Sequence, residues 1–349
     1  MHNPQAYLKN KLNSREEIAQ AKIVLGSLPR RLMVVLTVKC NLDCIMCERR
    51  ASNAALSKEA AGQISKFFPY LDSIMWQGGE VFLVDYFKEL FQQASGYPDL
   101  IQEINTNGLL ITPAWAEEFA RANVRLILSI DSTDKKIYEY IRRGANFEAL
   151  IKNLTLLKEA QNKHAKSATH IINVVVMRSN YQGLEDFADF AAEYGFGGIN
   201  LLYMVGKKCP QENIFEPADA RAIAYLQQSV PRLMGKCKRS GINVSCEFKV
   251  HLGPVEPPQD SLPAAGGKEL FCAMPWKSLF IDGAQGGKVY PECVCLRPAG
   301  ELSKNSLAEI WNGQTMQMYR KKVSCGDLEN WCNPKCINGS VNRDFLRQL

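Results

Sequence analysis

Cys40-Asn41-Leu42-Asp43-Cys44-Ile45-Met46-Cys47 follows directly on the apolar run Leu32-Met33-Val34-Val35-Leu36. The three cysteines are separated by three and then two residues, so three thiols converge on one polar turn after a buried strand. Three thiolates at that spacing can hold three irons of a four-iron cluster and leave the fourth iron open. The pattern is not that of structural zinc, which takes cysteines in pairs with a second pair further on. It also differs from the plant-type ferredoxin spacing.

The chain has 349 residues and 46% hydrophobic content, enough for one large core or a large domain with a smaller one attached. No apolar stretch reaches the ~18–20 residues that span a bilayer. Met1-His2-Asn3-Pro4-Gln5 has no secretory signal pattern. The expectation is a cytoplasmic protein without a membrane anchor. The formal charge of +6 is mild and scattered, densest at Lys207-Lys208 and from Lys236 to Arg239. No basic stripe interleaved with aromatics marks a nucleic-acid surface. A modest positive field favours an anionic substrate.

Twelve cysteines are many for a cytoplasmic chain, where disulfides are not expected. Nine fall into two sets: Cys40, Cys44 and Cys47, then Cys272, Cys293, Cys295, Cys325, Cys332 and Cys336. Cys209, Cys237 and Cys246 lie between them. Such clustering points to metal ligation.

Residues 1–30 read as a helical lead-in, with Ser14 and Glu17 spaced as a capping box. Strand-like and helix-like segments then alternate. Strands are expected at Leu32–Val38, Ser73–Trp76, Ile101–Asn105, Arg125–Ile130, Ile171–Met177 and Gly198–Met204. Helices are expected at Lys58–Phe68, Tyr86–Ala94, Thr112–Arg121, Phe147–Glu159 and Leu184–Tyr194. A longer helix follows over Pro217–Ser240. Six such units predict an α/β fold of parallel strands covered by helices, either a partial barrel or a doubly wound sheet. Cys40, Glu80, Asn107, Ser129, Asp131 and Asn173 fall at strand ends, where α/β barrels build their sites.

The domain reading is therefore a lead-in over 1–30, an α/β domain over 31–250 and a Pro/Gly-rich linker over 251–267. A cysteine-rich module over 268–349 completes it. That module is too small for a good core unaided, and metal sites can supply the missing stability. Leu307–Val323 is its one clear helix, broken near Gly313.

The Cys-x3-Cys-x2-Cys loop resembles that of radical S-adenosylmethionine (radical SAM) enzymes. The resemblance implies that Cys40, Cys44 and Cys47 hold a [4Fe-4S] cluster whose open iron is chelated by S-adenosylmethionine. Met46 stands where the family usually has an aromatic residue, packing near the adenine. Gly78-Gly79-Glu80 resembles the family's second-strand motif, which contacts the methionyl amine; Val81 replaces its usual proline. Glycines permit close backbone approach, and a glutamate pairs with an ammonium. Asn107 in Thr106-Asn107-Gly108, Ser129 and Asp131, and more weakly Asn173, match further cofactor-contacting positions. Arg142-Arg143-Gly144-Ala145-Asn146-Phe147 resembles the segment that follows. The resemblance covers most of 31–205 and implies a partial (β/α)6 TIM-like barrel.

Cys272-Ala273-Met274-Pro275-Trp276, Gly287 to Cys295, Asn305 to Gly313 and Cys325 to Cys336 resemble the auxiliary-cluster extension called SPASM, or its shortened twitch form. This implies one auxiliary [4Fe-4S] cluster on Cys272, Cys293, Cys332 and Cys336, with Cys295 as the alternative to Cys293. Cys325 is then a spare or belongs to a degenerate second site. A zinc site is the alternative, since four thiolates satisfy either metal.

The family's chemistry begins with an electron from a flavodoxin- or ferredoxin-type reductant. S-adenosylmethionine is cleaved to a 5′-deoxyadenosyl radical, which takes hydrogen from an unreactive carbon. Cys209, after the sixth strand, is the candidate hydrogen donor for an epimerisation. Family members act on ribosomally made peptides, sulfatases, sugars or aminoglycosides. The 39 residues before Cys40 are too few for a leader-binding domain, which tilts the expectation toward oxidation or epimerisation of a small polar substrate. Peptide maturation is the alternative. A non-catalytic iron–sulfur scaffold is a further alternative, opposed by Gly78-Gly79-Glu80.

Overall fold

Strand β1 (Arg31–Thr37) buries Leu32, Val34 and Leu36 completely on one face. It lies between two parallel partners, and the sequence reading anticipated only one of them. In the computed structural model, residues 4–48, 53–165, 170–248, 272–293, 295–333 and 336 are described. The linker expected over 251–267 lies outside them. The chain divides into two units. One comprises Met1–Lys39, Ser52–Gln102 and Pro258–Leu349; the other comprises Cys40–Ala51 and Glu103–Pro257. No helix among the described residues is long and apolar enough to cross a membrane.

In the first unit, β1 pairs in parallel with β2 (Ser73–Gly78) and with β8 (Ser278–Asp282). Antiparallel β9 (Lys288–Tyr290) and β10 (Gly300–Glu301) continue the sheet outward from β8, so it is mixed. Trp76 on β2 is fully buried, packs edge-on against Phe68 and Phe87, and donates its indole N–H to Gln102 at 3.0 Å.

The lead-in forms α1 (Pro4–Ala19). Ser14 and Glu17 lie inside this helix, so the expected capping box is absent. The Glu17 carboxylate instead accepts the Gly26 N–H at 2.7 Å and the Ser27 N–H at 3.2 Å, closing the turn after α1. That turn is stitched to the cysteine-rich segment. Trp276 donates to the Lys22 carbonyl at 2.6 Å and Trp311 to the Ser27 carbonyl at 2.7 Å. Asn312 accepts from the Leu25 N–H and donates to the Leu25 carbonyl.

Arg320, on α11 (Gln314–Cys325), is fully buried. Its guanidinium donates to the carbonyls of Pro275, Ile23 and Trp311 and to the Asn312 side chain, at 2.7 to 3.1 Å. It also stacks over Trp311 at 4.7 Å. Burial pulls its pKa down to about 9. The expected break near Gly313 separates α10 (Leu307–Trp311) from α11.

In the second unit β4 (Val124–Ser129), β5 (Ile171–Val176), β6 (Gly198–Tyr203) and β7 (Asn243–Cys246) pair in that order, all parallel. β3 (Ile101–Thr106) enters this unit at Glu103. Thr112 caps α4 (Pro113–Arg121), Asn146 caps α6 (Phe147–Lys163) and Asp219 caps α8 (Ala220–Arg239), each accepting an orphan N–H. α7 (Phe187–Glu193) follows a 3-10 turn. The sequence reading missed α5 (Lys135–Ile141), capped by Asp134, along with β7 and β8.

Replacing Arg320 by alanine is expected to orphan two buried carbonyls and a third part-buried one, and to destabilise the first unit by about 3 kcal/mol. The check is a fall in the urea midpoint, which Arg320→Lys does not fully restore because it lacks the planar fork.

Candidate metal and cofactor site

In the first unit, β2 ends against the chain that leaves β1. Gly79 N–H donates to the Thr37 carbonyl at 2.6 Å and Glu80 N–H to the Lys39 carbonyl at 2.8 Å. A Cβ on Gly78 would sit 2.1 Å from the Thr37 oxygen, and one on Gly79 would sit 2.1 Å from the Lys39 oxygen. Gly78 also has φ of +142°. Both glycines are thus required by backbone packing, whatever they bind. Glu80 is fully buried immediately after them. Val81 opens a 3-10 turn over Val81–Leu83.

In the second unit, the cysteine loop is held by the segment after α5. Asp43 N–H donates to the Arg143 carbonyl and Ile45 N–H to the Ile141 carbonyl, both at 2.9 Å. These two bonds bracket Cys44 on one side and Arg142 on the other. Arg142 Nη1 then reaches Cys44 Sγ at 3.8 Å, and Nη2 pairs with Asp131 Oδ2 at 2.8 Å. Asp131 is fully buried, accepts the Val175 N–H at 2.9 Å, and offers its own carbonyl to Asn180 at 2.7 Å.

Burial pushes the Cys44 thiol up to about 11, and Arg142 pulls in the opposite direction. Burial lowers the Arg142 pKa, but attraction to Asp131 and Cys44 outweighs it, so the guanidinium stays charged. Leu42 N–H donates to Cys40 Sγ at 3.4 Å. Cys44 is buried and Cys47 exposed.

Asn107 Nδ2 donates to Asn41 Oδ1 at 2.8 Å, and its Oδ1 accepts the Leu109 N–H at 3.0 Å. The expected cofactor residue thus fixes the residue that follows Cys40. Met46 packs beside the apolar group Ile45, Ile141, Met177, Met204 and Cys209. Cys209 is 5% exposed, and burial pushes its thiol up.

Ser129, Asn173, Asn200 and Ser245 share one register across β4, β5, β6 and β7. Ser245 Oγ donates to Asn200 Oδ1 at 2.6 Å, and Asn200 Nδ2 donates to Asn173 Oδ1 at 2.9 Å. Asn200, Ser245, Asn180 and Arg142 were not singled out as site residues from sequence. Strand alternation, which puts Asn200 on the face opposite Ile199 and Leu201, was the available signal for that residue.

In the first unit, a backbone bridge joins Cys295 to Cys332. It is supported by Leu296 N–H to the Trp331 carbonyl and by Arg297, which lies 4.6 Å over the Trp331 ring. Burial pushes the Cys272 thiol up to about 12, with Cys332, Cys336 and Glu292 adding repulsion. Burial raises Cys295, with Cys272 and Cys332 adding. Cys293 is likewise pushed up to about 12 by burial, then by Glu292 and more weakly by Cys336. Glu292 is 2% exposed and accepts the Cys293 N–H at 2.8 Å. Cys325 is exposed at the end of α11.

Among the described residues, no three His, Cys, Asp or Glu side chains form a site for a single metal ion. A cluster of several atoms takes its thiols further apart than one ion does. The donor sets fit such a group: thiols only, with N–H and guanidinium donors already on two of the sulfurs of the first loop.

A model of the radical SAM superfamily matches residues 34–191, and one of the SPASM iron–sulfur cluster-binding domain matches 272–337. The mycofactocin maturase MftC of Mycolicibacterium smegmatis is 29% identical over 168 residues, which is 46% of this chain and 41% of that protein. The chain thus spans less than half the length of that relative. The AdoMet-dependent heme synthase of Methanosarcina barkeri is 24% identical over 339 residues, 89% of each. The crystal structure of Streptococcus suis SuiB shares the fold with a TM-score of 0.68 at 18% identity, over 97% of this chain and 79% of SuiB. With both matched segments in order and both cysteine sets within or beside them, this chain belongs to the radical SAM superfamily and carries a C-terminal SPASM domain.

Proposed function

We propose that this chain is a radical SAM maturase that oxidises, crosslinks or epimerises a ribosomally made peptide or protein. When bound, a [4Fe-4S] cluster with S-adenosylmethionine supplies an electron to the sulfonium and yields a 5′-deoxyadenosyl radical that abstracts hydrogen. Cys40, Cys44 and Cys47 would hold that cluster. Glu80, Asn107, Ser129 and Asn173 would face S-adenosylmethionine, with Met46 packing beside it. Asp131 contributes through Arg142, since its carboxylate is buried against that guanidinium. Residues 31–250 would form the partial barrel and 268–349 the auxiliary-cluster module, with 251–267 linking them. A flavodoxin- or ferredoxin-type protein would deliver the electron.

The observation that carries the peptide reading is the polar pair Asn200–Ser245, which continues across the sheet the row begun by Ser129 and Asn173, beyond the two residues assigned to S-adenosylmethionine. Amides and hydroxyls without charge suit the hydrogen-bonding groups of a peptide backbone. Two comparisons support the same reading. SuiB has been solved with its precursor peptide SuiA, at a TM-score of 0.62 to this chain, and the mycofactocin relative is named a maturase. They favour a peptide over the sugar or aminoglycoside expected from the short stretch before Cys40. A second reading, a small-molecule substrate, rests on the heme synthase, which is matched over 89% of both chains. Cys209 remains the candidate hydrogen donor for an epimerisation, since burial keeps its S–H protonated.

For the auxiliary cluster we favour Cys272, Cys295, Cys332 and Cys336, because the bridge between Cys295 and Cys332 holds two of the four together. Cys295→Ala is expected to lose that cluster's iron while Cys293→Ala keeps it, as read by iron and sulfide content after reconstitution. Equal iron in the two variants contradicts the assignment.

The substrate test is anaerobic turnover with S-adenosylmethionine and dithionite. Short peptides encoded beside the gene are compared with sugars, aminoglycosides and tetrapyrroles. A peptide that loses a hydrogen pair, or takes up deuterium from D2O, supports maturation. Turnover confined to a small molecule overturns it. Cys44→Ala is expected to reduce 5′-deoxyadenosine to background, whereas folded Cys332→Ala still cleaves S-adenosylmethionine without modifying substrate.

A further inference from the structure

We propose that Arg142, clamped by Asp131, sets the reduction potential of the cluster on the Cys40–Cys44–Cys47 loop by donating to the Cys44 sulfur. This deepens the radical SAM reading above and rests on it.

The placement follows from the backbone. Arg142 caps the C-terminal end of α5, its N–H bound to the Tyr138 carbonyl at 2.8 Å. The bonds from Asp43 to Arg143 and from Ile45 to Ile141 set the cysteine loop alongside this helix end, with Cys44 opposite Arg142. The side chain cannot turn to water, because it is 6% exposed. One guanidinium nitrogen lies 3.8 Å from the Cys44 sulfur and another 2.8 Å from Asp131. Asp131 is itself fixed by the Val175 N–H, while Asn180 holds its backbone carbonyl. The cation at the sulfur is therefore built in.

Reduction adds one electron to the cluster and breaks no protein bond. A buried cation that hydrogen-bonds a ligating sulfur stabilises the added negative charge. Because the pair is buried, salt screens it weakly. Asp131 offsets part of the effect, so the two residues act with opposite sign. Arg142 is a positioning and tuning residue that acts through Cys44.

The test is an anaerobic redox titration of the reconstituted full chain with dithionite and mediator dyes. It follows the low-temperature EPR signal that S-adenosylmethionine alters, which separates the first cluster from the auxiliary one. At a fixed solution potential, Arg142→Gln is expected to lower the reduced-to-oxidised ratio about tenfold, equivalent to ~59 mV for one electron. Asp131→Asn is expected to raise it, and Arg142→Lys to fall between parent and Arg142→Gln.

Full iron content with unmoved midpoints in Arg142→Gln and Asp131→Asn overturns the proposal. So do shifts of the same sign in both variants. Folded variants that hold no iron also overturn it, since the pair then builds the loop instead of tuning the cluster. If Arg142→Gln alone fails to fold, the sign of the Asp131→Asn shift decides. A parent protein with no S-adenosylmethionine-sensitive cluster overturns the radical SAM reading itself, a result distinct from all of these.

Discussion

The contact of Arg142 with Cys44, held by Asp131, ties the cysteine loop to the α/β framework of its unit. A charged guanidinium without an anion would be costly in so buried a position, and a buried Asp131 without Arg142 equally so. Each stabilises the other, and together they leave one donor directed at a sulfur. The loop is held by this neighbour, by the two backbone bonds to residues 141 and 143, and by Asn107 and Lys208, which donate to Asn41 and to Asp43 and the Cys44 carbonyl. Removing either charge is expected to change the electrostatics of the loop as well as its stability.

The cysteine-rich segment is held by a different means. Its core is small, and it is completed by the turn after α1. Trp276, Trp311, Asn312 and Arg320 satisfy the backbone of residues 22–27, while β8 lies against β1. Tryptophan and arginine suit this task because each carries long apolar surface with a polar tip that reaches a carbonyl. The segment that supplies the second cysteine set therefore contributes to the same sheet that carries Gly78.

Much of the framework was legible in the sequence because it obeys local rules. β-branched runs marked β1 and β5, Thr112-Pro113 marked the start of α4, and the cysteine spacing marked the loop. Gly78 and Gly79 were legible too, although the structure adds that backbone crowding alone demands them. The misses have physical causes. α5 is only seven residues long, too short for its periodicity to stand out. β7 is four residues long with a polar exposed face, and β8 forms only because a distant strand pairs with it. Ser14 and Glu17 looked like a cap because spacing alone cannot reveal that the helix began ten residues earlier. Arg142 was named from sequence only within a segment that resembles the family's, with no role of its own; only the tertiary placement of Asp131 and Cys44 makes it a buried donor.

The central claim is that the Cys40–Cys44–Cys47 loop carries a redox-active cluster with a coordination position open to S-adenosylmethionine. The most direct measurement is the EPR spectrum of the anaerobically reconstituted, dithionite-reduced chain before and after S-adenosylmethionine is added. The account predicts a reduced-cluster signal that changes shape on addition and disappears in Cys44→Ala. A signal indifferent to S-adenosylmethionine, in protein with full iron content, would contradict it.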